Sequence, residues 1–107
     1  MLYICNMEKV IKDGKVGVLV SPSYGGGFST WGYPLEAVFD PELIRMVEIE
    51  DYEGAVKYCE SKWPNEYSGG VSDLVVVWVN EGSKFRITEY DGYEDIEFED
   101  GIDWITA

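Results

Sequence analysis

The spacing of apolar and polar side chains changes several times along the chain, and each change marks an element. Residues 2 to 11 carry apolar side chains in loose alternation, and Asp13-Gly14 separates them from Lys15 and the run Val16-Gly17-Val18-Leu19-Val20. Two strand-like stretches joined by Asp-Gly predict a β-hairpin. Asp40 can cap a helix whose first residue is Pro41, where the missing N–H is no loss, so Pro41 to about Val47 is predicted helical. Asp51 predicts a second helix through Ala55, Val56, Tyr58, Cys59 and Trp63, near i, i+3 and i+4 spacing, and Pro64 stops it.

Leu74-Val75-Val76-Val77-Trp78-Val79 is the strongest strand signal, and a run this apolar predicts a central place in its sheet. Beyond it the period is two: Phe85, Ile87 and Glu89 alternate with Arg86, Thr88 and Tyr90. After Asp91-Gly92, Ile96 and Phe98 point away from Asp95, Glu97 and Glu99. Gly101 interrupts this meander, and Ile102, Trp104 and Ile105 predict a last short strand. Strands, then helices, then strands define the α+β class. The expected architecture is a single acidic domain over residues 1–107, with one antiparallel sheet of four to six strands and two short helices on one face.

Between the first apolar strand and the first helix lies Ser21-Pro22-Ser23-Tyr24-Gly25-Gly26-Gly27-Phe28-Ser29-Thr30-Trp31-Gly32. Three consecutive glycines lose more backbone freedom on ordering than any other triplet, so an ordered loop here must be held by something. With backbone N–H groups at Gly25, Gly26 and Gly27, hydroxyls at Ser21, Ser29 and Thr30, and rings at Tyr24, Phe28 and Trp31, it suits a small polar ligand with a flat ring. A flexible surface loop tucked under its own aromatics is the plainer alternative. Tyr67-Ser68-Gly69-Gly70 with Asp73 forms a second glycine loop before the strand at Leu74. If the strands beside these loops are sheet neighbours, one pocket can take Gly69, Gly70 and Asp73 with the first loop, Phe39 and Trp31 as walls, and Lys84 and Arg86 as nearby cations. Core packing is the competing expectation for Trp31, Trp63, Trp78 and Trp104.

Charge narrows the partners. The 107 residues carry 21 acids against eight lysines and arginines, no histidine, and a formal net charge of −13. Nucleic acid and anionic membranes are therefore unexpected direct partners, whereas a basic protein is accommodated. From Asp51 onward 14 acids face four bases, and Glu94, Asp95, Glu97, Glu99 and Asp100 lie in a stretch without one basic residue. Same-face residues on a strand recur about every 6.8 Å, so Asp95, Glu97 and Glu99 can imitate successive phosphates. The alternative is a solvated face kept soluble by charge.

Without histidine, neither a Ser-His-Asp nor a Cys-His arrangement exists in one chain, so a non-enzyme is expected. No phosphate-binding G-x-x-x-x-G-K-[ST] or G-x-G-x-x-G motif is present, the acidic stretch fails the calcium-loop pattern, and no cofactor or metal is implied. Cys5 and Cys59 lack C-x-x-C spacing and are expected to be thiols in a reducing cytoplasm. The apolar start Leu2-Tyr3-Ile4-Cys5 is too short for a signal peptide or a membrane span, so a soluble, unexported protein is expected. A homo-oligomer, with a second copy completing the pocket, stays open.

The residues Val18-Leu19-Val20-Ser21-Pro22, Gly25, Gly27 and Thr30-Trp31 resemble an S-P-x-[FY]-G-x-G-x-[ST]-T-W loop of small proteins encoded by bacteriophages. The likeness extends through Phe39-Asp40-Pro41, Gly69-Gly70-x-x-Asp73-Leu74 and Phe85-Arg86-Ile87-x-Glu89-Tyr90-Asp91-Gly92, with Ser23 and Phe28 departing from the glycine and tryptophan of the pattern. The resemblance implies a phage accessory protein acting in the host cytoplasm, a class that often blocks host defence. Two mechanisms fit: capture of a nucleotide-derived defence signal by the glycine and aromatic loops, or occupation of a basic nucleic-acid channel, as in a CRISPR nuclease, by the acidic face. A virion or housekeeping role is the third possibility.

Overall fold

Asp13 and Gly14 both adopt positive φ, 53° and 76°, the backbone a two-residue hairpin turn requires, and they join β1 (Ile11–Lys12) to β2 (Lys15–Val20). The computed structural model describes residues 9–66 and 68–98. The start of the first predicted strand and the last one at Ile102, Trp104 and Ile105 lie outside the described residues, as do Cys5, Tyr67, Glu99 and Asp100.

β3 (Val75–Asn80) pairs antiparallel with β2 from Lys15↔Asn80 to Val20↔Val75. Sheet order is β1-β2-β3, so the central strand among the described residues is β2, and the expectation of a central β3 is corrected. Hydrophobicity alone misplaced it. Val16 to Val20 are buried throughout, whereas in β3 only Val79 is, and Trp78 is half-buried over the bare Cα of Gly17 with the Lys12 ammonium 5.2 Å from its ring. β4 (Phe85–Tyr90) and β5 (Tyr93–Phe98) make a separate two-stranded sheet, so the fold is α+β as expected, with two sheets instead of one among the described residues. Phe85, Ile87, Ile96 and Phe98 turn one face of that hairpin to the core.

Both predicted helices form, and their caps explain the boundaries. Asp40 Oδ1 accepts from the Leu43 N–H at 3.0 Å to start α2, which follows the single turn α1 (Leu35–Val38) and spans Pro41–Glu48. Asp51 Oδ1 accepts from the Gly54 N–H at 3.0 Å to start α3 (Tyr52–Lys62). Leu43, Ile44, Val47, Ala55 and Cys59 then meet Val18, Leu19, Phe28 and Leu74 in one core. The Cys59 thiol lies deep in it, and burial, followed by the Asp40 charge, pushes its pKa up to about 12. A thiol so held is inert toward alkylation while the fold is closed. Beside it the Tyr33 hydroxyl is buried, with the Cys59 thiol as a weak polar neighbour and no stronger hydrogen-bond partner among the described residues.

Asp40 has a second task that its capping role did not reveal. Its carboxylate, 6% exposed, also accepts from Lys62 Nζ at 2.9 Å and from the Tyr58 hydroxyl, tying the start of α2 to the end of α3. Burial pushes this carboxyl up, but the hydrogen bonds from Lys62, the Leu43 amide and Tyr58 outweigh it and hold it below its ordinary 3.8. Because the folded value lies below the unfolded one, this stabilisation is fully present above the unfolded value and is lost as pH falls through the folded one. Asp40→Asn, which keeps a capping oxygen but loses the charge, is expected to lower stability by about 1.5–3 kcal/mol at neutral pH. Urea unfolding along a pH series should show the difference from the parent constant near neutrality and shrinking in strong acid. A constant difference down to the acid-unfolded state would contradict this assignment.

Candidate functional site

Antiparallel pairing of β2 with β3 brings the end of one strand beside the start of the other, so the two glycine loops must meet. They meet backbone to backbone. The Ser21 hydroxyl donates to the Gly70 carbonyl at 2.8 Å, and a Cβ on Gly70 would lie 2.4 Å from the Gly27 carbonyl oxygen. Ser21, Gly26, Gly27 and Gly70 are buried, so the pocket expected between the loops is replaced by close packing. Phe28, expected as a binding face, is fully buried and stacks on Tyr33 at 4.3 Å, because the loop needs an apolar anchor in the core. Gly69 and Asp73 stay at the surface, the latter in the short 3₁₀ turn Val71–Asp73.

What holds the loop is Glu94. This side chain, 1% exposed, comes from β5, where it shares the inward face with Ile96 and Phe98. Glu94 Oε1 accepts the Ser21 N–H at 2.9 Å, and Oε2 accepts the Phe28 N–H at 2.7 Å, the Thr30 N–H at 3.0 Å and the Thr30 hydroxyl at 2.6 Å. The Glu94 N–H returns a bond to the Ser21 carbonyl at 3.0 Å. An internal carboxylate thus fills the place an anionic ligand would take at a concave run of amides. Gly25 and Gly26 also direct their N–H groups inward, to the carbonyls of Asp91 and Ser23. Two expectations are corrected together: Glu94 is not part of an exposed acidic face, and the loop amides do not form an open phosphate cradle.

The remaining acidic row is sparse. Asp95 and Glu97 do face solvent on β5, but Arg86 on β4 lies opposite Glu97 and pairs with it. Glu99 and Asp100 lie outside the described residues.

Ser29, Thr30 and Arg86 converge elsewhere, on a groove of about 540 Å³ between the 3₁₀ turn Ser29–Trp31, α1 and β4. Its apolar walls are Tyr33, Leu35, Phe39, Phe85 and Ile87, and Lys9 joins Arg86 in lining it. The Lys9 ammonium stands 4.9 Å from the centre of the Phe39 ring. Phe39, expected to wall the pocket between the glycine loops, instead walls this separate groove, and Lys84 does not line it. Tyr24 and Trp31 remain substantially exposed outside it, with Trp31 Nε1 donating to Glu89 at 3.3 Å. Lys9 was missed because its place depends on how the chain enters β1, which no local pattern reports.

A small α+β domain with a carboxylate-locked loop and an aromatic groove is the class these features define. No family model, curated protein or solved structure matches the chain. Among the described residues no helix is long and apolar enough to cross a membrane.

Proposed function

We propose that this chain is a binding protein, without catalytic activity, that takes a small anionic ligand with a flat ring, of the nucleotide-derived kind, in the groove between Ser29–Trp31 and β4. The observation that carries the reading is the meeting of Lys9 and Arg86, two of only eight basic residues in a chain of net charge −13, at one aromatic-walled groove. A volume of about 540 Å³ falls within the range of small-molecule sites. Phe39 and Phe85 supply ring faces, and Ser29 a hydroxyl. Arg86 gives Nε and Nη2 to Glu97, yet a guanidinium carries five N–H donors, so it can serve a phosphate as well. The phosphate contacts are assigned to side chains, since the Phe28 and Thr30 amides already donate to Glu94 and those of Gly25 and Gly26 to the carbonyls of Asp91 and Ser23. The resemblance to small phage proteins gives such capture a use in counter-defence, by withdrawing a signalling nucleotide.

Isothermal titration with nucleoside monophosphates, cyclic dinucleotides and uncharged nucleosides tests this. A phosphate-bearing member is expected to bind, the matching nucleoside to bind at least about tenfold more weakly, and the Lys9→Ala/Arg86→Ala double variant to lose that preference. Equal affinity for charged and uncharged forms, or no binding by any of them, would sink the reading.

A further inference from the structure

The tip of the locked loop and the turn of the β4–β5 hairpin build a second surface, remote from each other in sequence and joined in space. The Gly25 N–H donates to the Asp91 carbonyl at 2.8 Å, and Gly92 fits against the amides of Gly25 and Gly26 so closely that a Cβ there would lie 3.0 Å from both nitrogens. Around this junction stand three tyrosine rings. Tyr24 packs on Tyr93 at 5.0 Å and edge-on to Tyr90 at 6.4 Å. Packing does not bury them: Tyr24 is 67% exposed, Tyr90 76% and Tyr93 38%.

Such a cluster is unusual for a solvated face, because Tyr24 and Tyr90 keep most of their area in water while the backbone beneath them is tied by the Gly25–Asp91 hydrogen bond. Tyrosine on a rigid support is the side chain that anchors protein interfaces at low entropic cost. Its surroundings select the occupant. Asp91 sits in the turn between Tyr90 and Tyr93, and Asp95 follows Tyr93 on the same outward face of β5; neither is bonded to a lysine or arginine among the described residues. Ring faces flanked by carboxylates attract a guanidinium, by cation–π contact on one side and charge pairing on the other. A phosphate backbone would be repelled, and a second copy would bring an equally acidic chain of net charge −13.

We propose that the Tyr24–Tyr90–Tyr93 surface binds an arginine-bearing segment of another protein, with an arginine side chain laid on the tyrosine rings and Asp91 and Asp95 beside it. This surface is independent of the groove.

The test is an NMR titration of the isotope-labelled full chain with a capped arginine–glycine repeat peptide, and with a serine–glycine peptide as control. Amide shifts confined to residues around Tyr24 and Tyr90–Asp95, and an affinity at least about tenfold lower in Tyr24→Ala/Tyr90→Ala, are expected. That double variant should keep the slow exchange of the Phe28 and Thr30 amides, which reports an intact loop, since the rings removed are exposed. Affinity should fall with added salt and in Asp95→Asn. Shifts scattered over all acidic residues and indifferent to the tyrosine changes would mean diffuse charge attraction and overturn the proposal. Shifts at the same residues on concentrating the protein alone would overturn it in favour of a second copy. Equal response to the serine peptide, or none to either peptide, would also overturn it.

Discussion

Glu94→Ala is expected to lower stability by about 3–5 kcal/mol, because it leaves several buried donors without an acceptor at about 1–3 kcal/mol each, less what water recovers. The Ser21, Phe28 and Thr30 amides and the Thr30 hydroxyl would lose their acceptor at once. The loop could recover some of them only by admitting water, which would draw Phe28 out of the core. Glu94→Gln is the sharper version. It has the same shape, but one carboxylate oxygen becomes an amide that donates toward N–H groups already donating, so it is expected to be nearly as damaging. Denaturant unfolding measures the loss, and hydrogen exchange locates it: the Phe28 and Thr30 amides should lose protection before β2 and β3 do. A Gln variant with parental stability and protection would show that the loop holds itself. Since Ser29 and Thr30 line the groove, both variants should also weaken the binding proposed there.

Gly70→Ala is expected to lower stability by about 3 kcal/mol through added volume alone. The backbone of Gly70 has φ −93°, which any residue tolerates, so strain in this residue is not the cause. The obstacle is the Gly27 carbonyl oxygen 2.4 Å from the new methyl, with Ser21 Oγ at 2.8 Å and the Gly26 carbonyl carbon at 2.9 Å. Backbone on both sides cannot yield as a side-chain tip would, so the loops must part and the Ser21–Gly70 hydrogen bond must break. Gly25→Ala supplies the contrast. Its φ of 77° is unfavourable for alanine, but nothing lies within 4 Å of its Cβ position, so its cost should be about 1–2 kcal/mol. Thermal unfolding of the pair should rank Gly70→Ala well below Gly25→Ala. The reverse order would mean that backbone strain, and not close approach of the loops, governs the triple glycine.

Caps, turns and alternation were legible in the sequence because each is decided by neighbours within a few residues. Asp40-Pro41 and Asp51 started the two helices where expected, Asp13-Gly14 turned the first hairpin, and the period of two set which side of β5 Asp95 and Glu97 would face. The α+β class followed from the order of those elements. The same period of two also held the signal for Glu94: one acid on the face of Ile96 and Phe98 must find partners or leave the core. Counting it among the acids of its stretch hid that.

Three things were decided only by tertiary structure. The rank of β3 in its sheet depended on which strands pair along its two edges, which the apolarity of Val75–Val79 does not report. The use of the loop amides depended on a carboxylate more than sixty residues away, brought there by the docking of a hairpin onto the end of β2. The groove depended on Lys9 and Arg86, distant in sequence, reaching the same cavity. A single chain determines its local hydrogen bonds through short-range sterics and capping, so these can be read along it. Which groups far apart in sequence satisfy each other is a property of the packed whole, and in this protein that packing turned an apparent ligand cradle into a locked loop and moved the candidate site to its flank.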